Sequence, residues 1–534
     1  MHRQEDWIVQ KYGGTSLGKL LDSICGEIIP SFWARNNVAV VCSAISGKTK
    51  NSGTTSLLLQ CIELISSTSL ASQIQMNNVF DVLKDHHFSI LENLASKSTE
   101  ASAKETLQAA CLTVSKECEQ IRAFMIAAQT VGELSPRAKD RILALGERLA
   151  CIIVAAALQV KGIPAQAVFL DNLVEEAFGS SVSNQRYAIE QLGSEVYPLL
   201  AQQIALKIEQ CDGRLPVLTG FFGIMPDSLM KAVGRGYSDF CAALCALGLR
   251  AHELQIWKEV DGIYTSDPRK IPSARLLPAV TVEEAAELTY YGSEVVHPLA
   301  VDQIRHAGIR LQLKNVFNPS GAGTRIYPTR STSSSPELSP APTRPASPPS
   351  QAFLLSNGYH GKHQNRRVPT AVTAKEPITV LNVLCNQKRK FSIFLVSVLE
   401  QFTKHKLNID LVTSSERSIS VALENIDSPE RLQRLIGDLE TFGTVNVSDE
   451  RAIISVVGHK MKNMVGVSSE IFDALAEAKI NIYMISQGAS EINISVVVRK
   501  DQALLATSVI HENVLKIPSK SEMENNFIKG PWLY

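Results

Sequence analysis

The segment from Gly234 to Arg269 limits what this chain can fold into more than any other part of it. It opens with Gly234-Arg235-Gly236-Tyr237-Ser238-Asp239 and continues as an Ala-, Leu- and Cys-rich helical pattern from Phe240 to Leu249. A strand-like Leu254-Gln-Ile-Trp257 follows, then a loop carrying Lys258, Glu259, Tyr264 and Arg269. The turn frees backbone N–H groups at a helix start, which suits an anion. Arg235 adds a planar fork for a carboxylate or phosphate. Asp239, in the first helical turn, can cap the helix or act as a catalytic acid group. The plainer alternative is a glycine turn capped by Ser238 and Asp239 with no ligand at all.

The rest of the first 328 residues repeats the theme. Trp7-Ile-Val-Gln-Lys11 reads as a strand ending in Lys11-Tyr-Gly13-Gly14-Thr15-Ser16, and a helical pattern follows. Glycines there permit close backbone approach to phosphate oxygens, and the ammonium of Lys11 supplies a point charge. Val38-Ala-Val-Val-Cys42 is a buried strand followed by Ser43-Ala-Ile-Ser-Gly-Lys-Thr49. Gly47-Lys48-Thr49 mimics the tail of a P-loop, but Cys42 stands where that motif needs glycine. Residues 56 to 130 read as helices without legible chemistry. Arg137 to Gln159 reads as one helix containing Gly146-Glu147-Arg148. Stretches 162–170 and 215–223 read as strands that end in glycine-bearing loops. Alternation of such strands with helices predicts a mostly parallel sheet, with ligands beyond the carboxyl ends of the strands. His297 before Pro298 reads as a helix boundary rather than a catalyst.

Composition removes several function classes. Lysine plus arginine equal aspartate plus glutamate at 53 each, so neither nucleic acid nor a membrane surface is an expected partner. The ten cysteines are scattered without a C-x-x-C pair, which predicts reduced core thiols in a cytoplasmic protein. The N-terminus is polar and runs straight into a strand, so no signal peptide is read. The longest apolar run, Leu149 to Val160, is too short for a bilayer and predicts a buried helix. Thr329 to Pro369 is rich in Ser, Pro, Asn and Arg and reads as a mobile linker. Beyond it, strand-helix-strand-strand-helix-strand occurs twice, a ferredoxin-like pattern.

In order and spacing these motifs resemble those of aspartate kinases, and in particular the fungal-type monofunctional enzymes. The resemblance rests on Lys11 to Ser16, on the Gly146-Glu147 pair, on Gly234 to Asp239, on Trp257 to Arg269 and on Tyr290 to Pro298. Tyr237, Lys258-Glu259 and Glu294 are the fungal-type features. It implies an α/β fold: an amino-acid-kinase-type three-layer sandwich with a mostly parallel central sheet, followed by two ferredoxin-like (ACT) α+β units. The corresponding ranges are a catalytic domain at 1–328, a linker at 329–372, ACT-like units at 373–449 and 450–520, and a tail at 521–534. The two ACT units of this family can be nested rather than sequential.

The implied reaction is phosphoryl transfer from ATP to the side-chain carboxylate of L-aspartate, giving 4-phospho-L-aspartate, with Mg²⁺ held mostly by phosphates and water. By the same resemblance Lys11, Gly13, Gly14, Thr15 and Ser16 bind the ATP phosphates. Lys258, Glu259, Tyr264 and Arg269 serve the nucleotide side. Thr49, Glu147, Arg235 and Ser238 bind aspartate, with Glu147 on its ammonium and Arg235 on its α-carboxylate. Lys11 and Asp239 are the catalytic pair, and Asp239 can orient the substrate ammonium, Lys11 or a metal-bound water. No protein metal-ligand set is implied. Ser415, Glu416, Gln487 and Asn493 are implied effector contacts, with threonine as effector and a homo-oligomer formed through the ACT units. Ser392-Ile393-Phe394 departs from the usual glycine-bearing helix entry, and Arg417-Ser418 also departs, which predicts weakened or altered feedback. Two other readings are another carboxylate or amino acid kinase of the same fold and a catalytically silent ACT sensor. A dinucleotide-binding dehydrogenase fails because Gly234-Arg-Gly236 lacks the third glycine.

Overall fold

The computed structural model describes residues 6–47, 52–67, 69–234, 236–290, 296–327, 369–386, 390–424, 428–459, 461, 464–488 and 492–517. Thr49, Arg235, Glu294, residues 329–368 of the expected linker and the tail 521–534 lie outside the described residues. The chain forms two compact units. One comprises Met1–Gly262, Pro278–Val282 and Val295–Thr329, and the other Ile263–Leu277, Glu283–Glu294 and Arg330–Tyr534. Two pieces of the range 1–328, expected in one domain, therefore belong to the second unit.

The first unit opens with Trp7–Tyr12 (β1), Gly14–Ser23 (α1), Ile29–Trp33 (α2), Asn37–Cys42 (β2) and Thr54–Ile65 (α3). Long helices follow at Leu70–Ser96 (α4), Ala101–Val131 (α5) and Pro136–Val160 (α6). Next come Ala165–Val168 (β3), Leu173–Phe178 (α7), Val182–Leu192 (α8), Val196–Glu209 (α9) and Leu215–Thr219 (β4). Leu229–Ala232 (α10), Tyr237–Gly248 (α11), Glu253–Lys258 (β5) and Ala279–Thr281 (β6) precede Val282–Tyr290 (α12), most of which belongs to the second unit. Pro298–Ala307 (α13), Arg310–Asn315 (β7) and Thr324–Tyr327 (β8) close the first unit.

Its sheet has the order β3-β4-β2-β1-β5-β7-β8-β6, parallel throughout except where β7 meets β8. The middle strands are buried on both faces, which is why they read as continuous apolar runs. Gln10 and Gln255, polar residues in that interior, hydrogen-bond across β1 and β5 at 2.9 Å. Tyr12 and Trp257 donate to the same two amides, so the interior polar groups find partners. Val38, Val40, Cys42, Leu215 and Val217 pack with α6 and its neighbours in one core. Helix α11, with α9 and α13 beside it, covers β1, β2 and β5 on the other face. The layers are thus helix, sheet, helix. Helix α6 starts where Ser135 accepts the Ala138 N–H and Pro136 sets the first turn. It is long and apolar enough to suit a bilayer span, yet most of it is buried in this core.

The second unit is built on Ala371–Cys385 (β9), Phe391–Lys404 (α14), Leu411–Ser414 (β10), Ser418–Glu424 (β11), Pro429–Glu440 (α15) and Gly443–Val457 (β12). Val467–Glu477 (α16), Met484–Gln487 (β13), Asn493–Arg499 (β14) and Ala503–Asn513 (α17) complete it. One sheet holds all its strands in the order β10-β11-β9-β12-β14-β13. The expected boundaries at 372/373 and 449/450 fall inside β9 and β12, because each of these strands serves both ferredoxin-like units. The later part of β9 pairs with β11 and with Gly443–Ser448. Its early part, Ala371–Lys375, pairs with Ile453–Val457 instead. The register shifts between Ser448 and Ile453, opposite Pro377, which cannot donate to the ladder. The second ferredoxin-like unit therefore takes its fourth strand from the start of β9. Val372, fully buried, packs with α16 and α17, whereas Leu381 and Val383 pack with α14 and α15.

Helix α12 also packs here. Glu284 accepts from the Thr370 hydroxyl and from the His459 N–H, and Glu287 accepts from the Asn493 amide at 3.1 Å.

Candidate active site

Strands β4, β2, β1 and β5 run parallel, so their carboxyl ends open on one edge of the sheet. Lys11 sits at that end of β1, Ser43 follows β2, and Lys258 ends β5. The start of α11 comes to the same edge. Gly236 caps it with φ 89°, a left-handed backbone that only glycine adopts without strain.

Three consecutive residues then project from the first turn of α11, about 100° apart around the helix. Each holds a different element. The Tyr237 hydroxyl donates to Glu147 Oε1 on α6 at 2.6 Å. The Ser238 and Ser43 hydroxyls lie 2.9 Å apart. Asp239 Oδ1 meets Lys11 Nζ at 2.6 Å, and its Oδ2 lies 3.6 Å from Lys258 Nζ. Burial alone would raise the Asp239 carboxyl, but Lys11 and Lys258 outweigh it and hold it below the ordinary carboxylate value. Burial lowers the Lys258 ammonium, with Lys11 acting the same way and Asp239 opposing. The result is a buried anion between two ammonium groups, with the Glu259 side chain also acting on Lys258.

Glu147 behaves differently. Burial pushes its carboxyl up to about 7, against hydrogen bonds from Tyr237 and from backbone amides that favour the anion. Among the described residues its buried Oε2 has no well-formed hydrogen bond. A carboxylate in this state gains from an incoming cation.

The glycine turn after β1 places Gly13 as the N-cap of α1. A side chain on Gly14 would stand 2.0 Å from the Ala44 carbonyl oxygen, so the loop after β2 seats directly on the start of α1. The Ser46 N–H donates to Gly14 O at 3.0 Å across that contact. Beside it lies a cavity of about 340 Å³ lined by residues including Thr15, Lys19, Ser46, Gly47, Thr54 and Thr55. The N-terminal turns of α1 and α3 both line it, and such turns favour negative charge. The Ser16 hydroxyl turns away to Glu259, donating at 2.7 Å.

The structure thus gathers Lys11, Ser238, Asp239 and Lys258 directly, with Glu147 tied in through Tyr237, and sets Gly13, Gly14, Thr15, Ser16 and Glu259 around the β1 turn. Tyr264 and Arg269 belong to the second unit, where Arg269 is exposed and pairs with Asp267 at 2.9 Å. Ser415 bonds Ser418 within the β10–β11 hairpin, Glu416 is exposed there, and Gln487 ends β13 while Asn493 begins β14. His297 caps α13, accepting the Leu299 N–H on Nδ1, while its Nε2 faces the Val233 carbonyl oxygen at 3.1 Å. That is the helix-boundary role read from the sequence. Sequence reasoning missed Ser43 and gave Tyr237 no task. The available signal for Ser43 was its place directly after a buried strand.

Two family models match the chain: "Amino acid kinase family" over residues 6–315 and "ACT domain" over residues 454–514. The aspartokinase of Candida albicans is 40% identical over 519 residues, covering 96% of this chain and 90% of that protein. The aspartokinase of Schizosaccharomyces pombe is 38% identical over 534 residues, covering 99% of this chain and 97% of that protein. Aspartokinase III of E. coli, solved with aspartate and ADP, shares the fold at a TM-score of 0.67 and 22% identity, with 96% of this chain and 100% of that one covered.

Proposed function

Because this chain belongs to the amino acid kinase family and is, within it, an ATP-dependent aspartate kinase, we propose that the first turn of α11 and the start of α1 divide its two anionic reactants between them. The observation that carries this is the buried Lys11–Asp239–Lys258 cluster at the carboxyl edge of the sheet.

The acceptor carboxylate of L-aspartate has an ordinary pKa near ~4 and is already ionised at neutral pH, so no general base is required. The obstacle is repulsion between two anions brought into line. Lys11 and Lys258 offset it by facing the transferring phosphoryl group with their ammonium groups. Asp239 acts on them rather than on substrate: it fixes both ammonium positions. The N–H groups of Gly13, Gly14, Thr15 and Ser16 cradle the phosphates. Glu147 takes the ammonium of aspartate, Ser238 and Ser43 line its side, and Thr49 and Arg235 take its α-carboxylate end. Glu259 orients the turn through Ser16, and Tyr264 and Arg269 serve the nucleotide side. No group of three or more His, Cys, Asp or Glu side chains suited to a metal occurs among the described residues. Mg²⁺ would be held mostly by the ATP phosphates and water, where it would supply further charge neutralisation.

The E. coli relative of the same fold was solved with aspartate and ADP, which supports this pairing of substrates. The ACT pair gives the enzyme a site for a regulatory amino acid, for which threonine is the candidate, with contacts at Ser415, Glu416, Gln487 and Asn493. Ile393 at the entry of α14 weakens that response. The enzyme works in the cytoplasm as a homo-oligomer joined through its ACT units and feeds the threonine and methionine branches. A hydroxamate assay with aspartate and Mg-ATP, repeated with threonine, tests this reading. Acyl hydroxamate formed from aspartate supports it. Turnover of ATP only with another carboxylate, or no turnover, removes it.

A further inference from the structure

We propose that Tyr237 is a positioning residue for the acceptor's amine: its hydroxyl holds one oxygen of Glu147 so that the other stays open to the substrate ammonium. The inference rests on the reading of Glu147 as the ammonium contact and deepens it.

The geometry is specific. Tyr237 is fixed by its ring, which packs edge-on against Phe221 with centroids 5.9 Å apart and planes at 81°. Its single hydroxyl proton goes to Glu147 Oε1 at 2.6 Å. Glu147 is 3% exposed, so water does not serve its remaining acceptor sites freely. Its Oε2 has no well-formed hydrogen bond among the described residues. Buried acceptors left open are rare, and each one calls for an explanation such as a ligand. The donors that approach the carboxylate, the Tyr237 hydroxyl and the amide N–H groups of Ala44 and Glu147, are all neutral, and an Oε2 without a well-formed bond suits one more donor carrying positive charge. A primary ammonium, with three N–H groups, meets that need.

Among the described residues, the titratable groups that face Glu147 are Tyr237 and Cys241 on α11, Asp171 after β3 and Cys151 on α6 itself. None of these four is a cation. Asp171 raises the carboxyl further, while Tyr237 works against burial. Tyr237 therefore does two things through one bond. It sets the rotamer of Glu147, and it keeps the carboxyl ionisable at neutral pH, so that ammonium binding drives off a proton. The same turn carries Ser238 and Asp239, so the amine site and the phosphoryl site are set by one rigid helix end.

The test uses the full-length enzyme. Calorimetry of aspartate binding at pH 6.5 in buffers of different ionisation enthalpy counts the protons released. Wild type releases a fraction of a proton, Y237F releases more because its Glu147 begins more fully protonated, and E147Q releases none. In steady-state assays Y237F raises the KM for aspartate about tenfold at pH 7, as expected for loss of a hydrogen bond to a charged group. It lowers kcat less than it raises KM, and it moves the acid limb of kcat/KM to higher pH. If E147Q still releases the proton, the reading of Glu147 is wrong. If E147Q releases none while Y237F matches wild type in proton count and acid limb, the role of Tyr237 is wrong. An infrared difference spectrum of wild type with ring-deuterated tyrosine covers the case in which Y237F does not fold. Aspartate then shifts a tyrosine C–O band in wild type and not in E147Q; the same shift in both overturns the proposal.

Discussion

At the scale of single residues, the site is an arrangement of charge in a place that excludes water. Asp239 is flanked by Lys11 and Lys258, and all three sit at strand or helix ends. Substituting Asp239→Asn keeps the shape but leaves the two ammonium groups without a counter-charge. We expect kcat to fall about a hundredfold or more, as when other preorganised charge is removed, and stability to drop by about 3 kcal/mol. Steady-state kinetics and a thermal melt check both. Lys258→Ala should raise the KM for ATP, and an unchanged value would remove Lys258 from the phosphate side. Glu147 gives a pH prediction with a definite sign. Its carboxyl lies at about 7 in the folded chain, above its ordinary 4.5. The stability it contributes is present in full below about 4.5 and is lost as pH rises through about 7. Ligand-free wild type should therefore lose of order 3 kcal/mol relative to Glu147→Gln across that interval, read from urea melts at each pH. A wild-type curve parallel to that of the variant would contradict it.

At the scale of elements, close approach decides the site. The loop after β2 reaches the start of α1 only because Gly14 has no side chain, the nearest atom being the Ala44 carbonyl oxygen. Gly14→Ala should displace that loop, cost about 2 kcal/mol or more, and raise the KM for both substrates. Gly236→Ala meets a positive φ and the His297 ring 3.2 Å away. It should lower stability by about 1–2 kcal/mol and reduce kcat, because Tyr237, Ser238 and Asp239 all move with the helix start. Thermal melts beside kinetics separate the two effects. The strands that carry these loops are legible from sequence. Val38 to Cys42 and Leu215 to Thr219 are apolar throughout because a central parallel strand is buried on both faces. Long-range partnerships are not legible. Tyr237 and Glu147 are 90 residues apart, and Ser43 and Ser238 are 195 apart. No local pattern encodes a hydrogen bond between positions that only sheet order and helix packing bring together.

At the scale of the whole molecule, the two ferredoxin-like units interlock through β9 and β12. Val372→Asp in the full chain should therefore loosen the unit built on α16 and α17, although it lies before the other unit in sequence. Hydrogen exchange should rise in β14 and the late part of β12 and stay slow in α14 and α15; the reverse pattern would contradict the strand assignment. Helix α12 belongs with this unit through Glu284 and Glu287, although its sequence lies among the kinase motifs. If Ile393 weakens the effector site, saturating threonine should leave most of the aspartate kinase activity in place, and full inhibition would remove that expectation.

The sequence alone determined the chemistry on offer: a lysine and glycines at the end of a strand, a glycine turn before a Tyr-Ser-Asp helix start, an apolar helix with one glutamate in it, and a doubled ferredoxin-like pattern. These are local features, set by spacing along the chain and by the backbone freedom of particular residues. Tertiary structure alone decided that Asp239 contacts the two lysines, that Tyr237 reaches Glu147, and that β9 and β12 are each shared between the two ferredoxin-like units. Those outcomes depend on which strands lie side by side and in what register. Strand order and register come from burying the whole apolar surface at once, a sum over the entire chain that no short stretch contains.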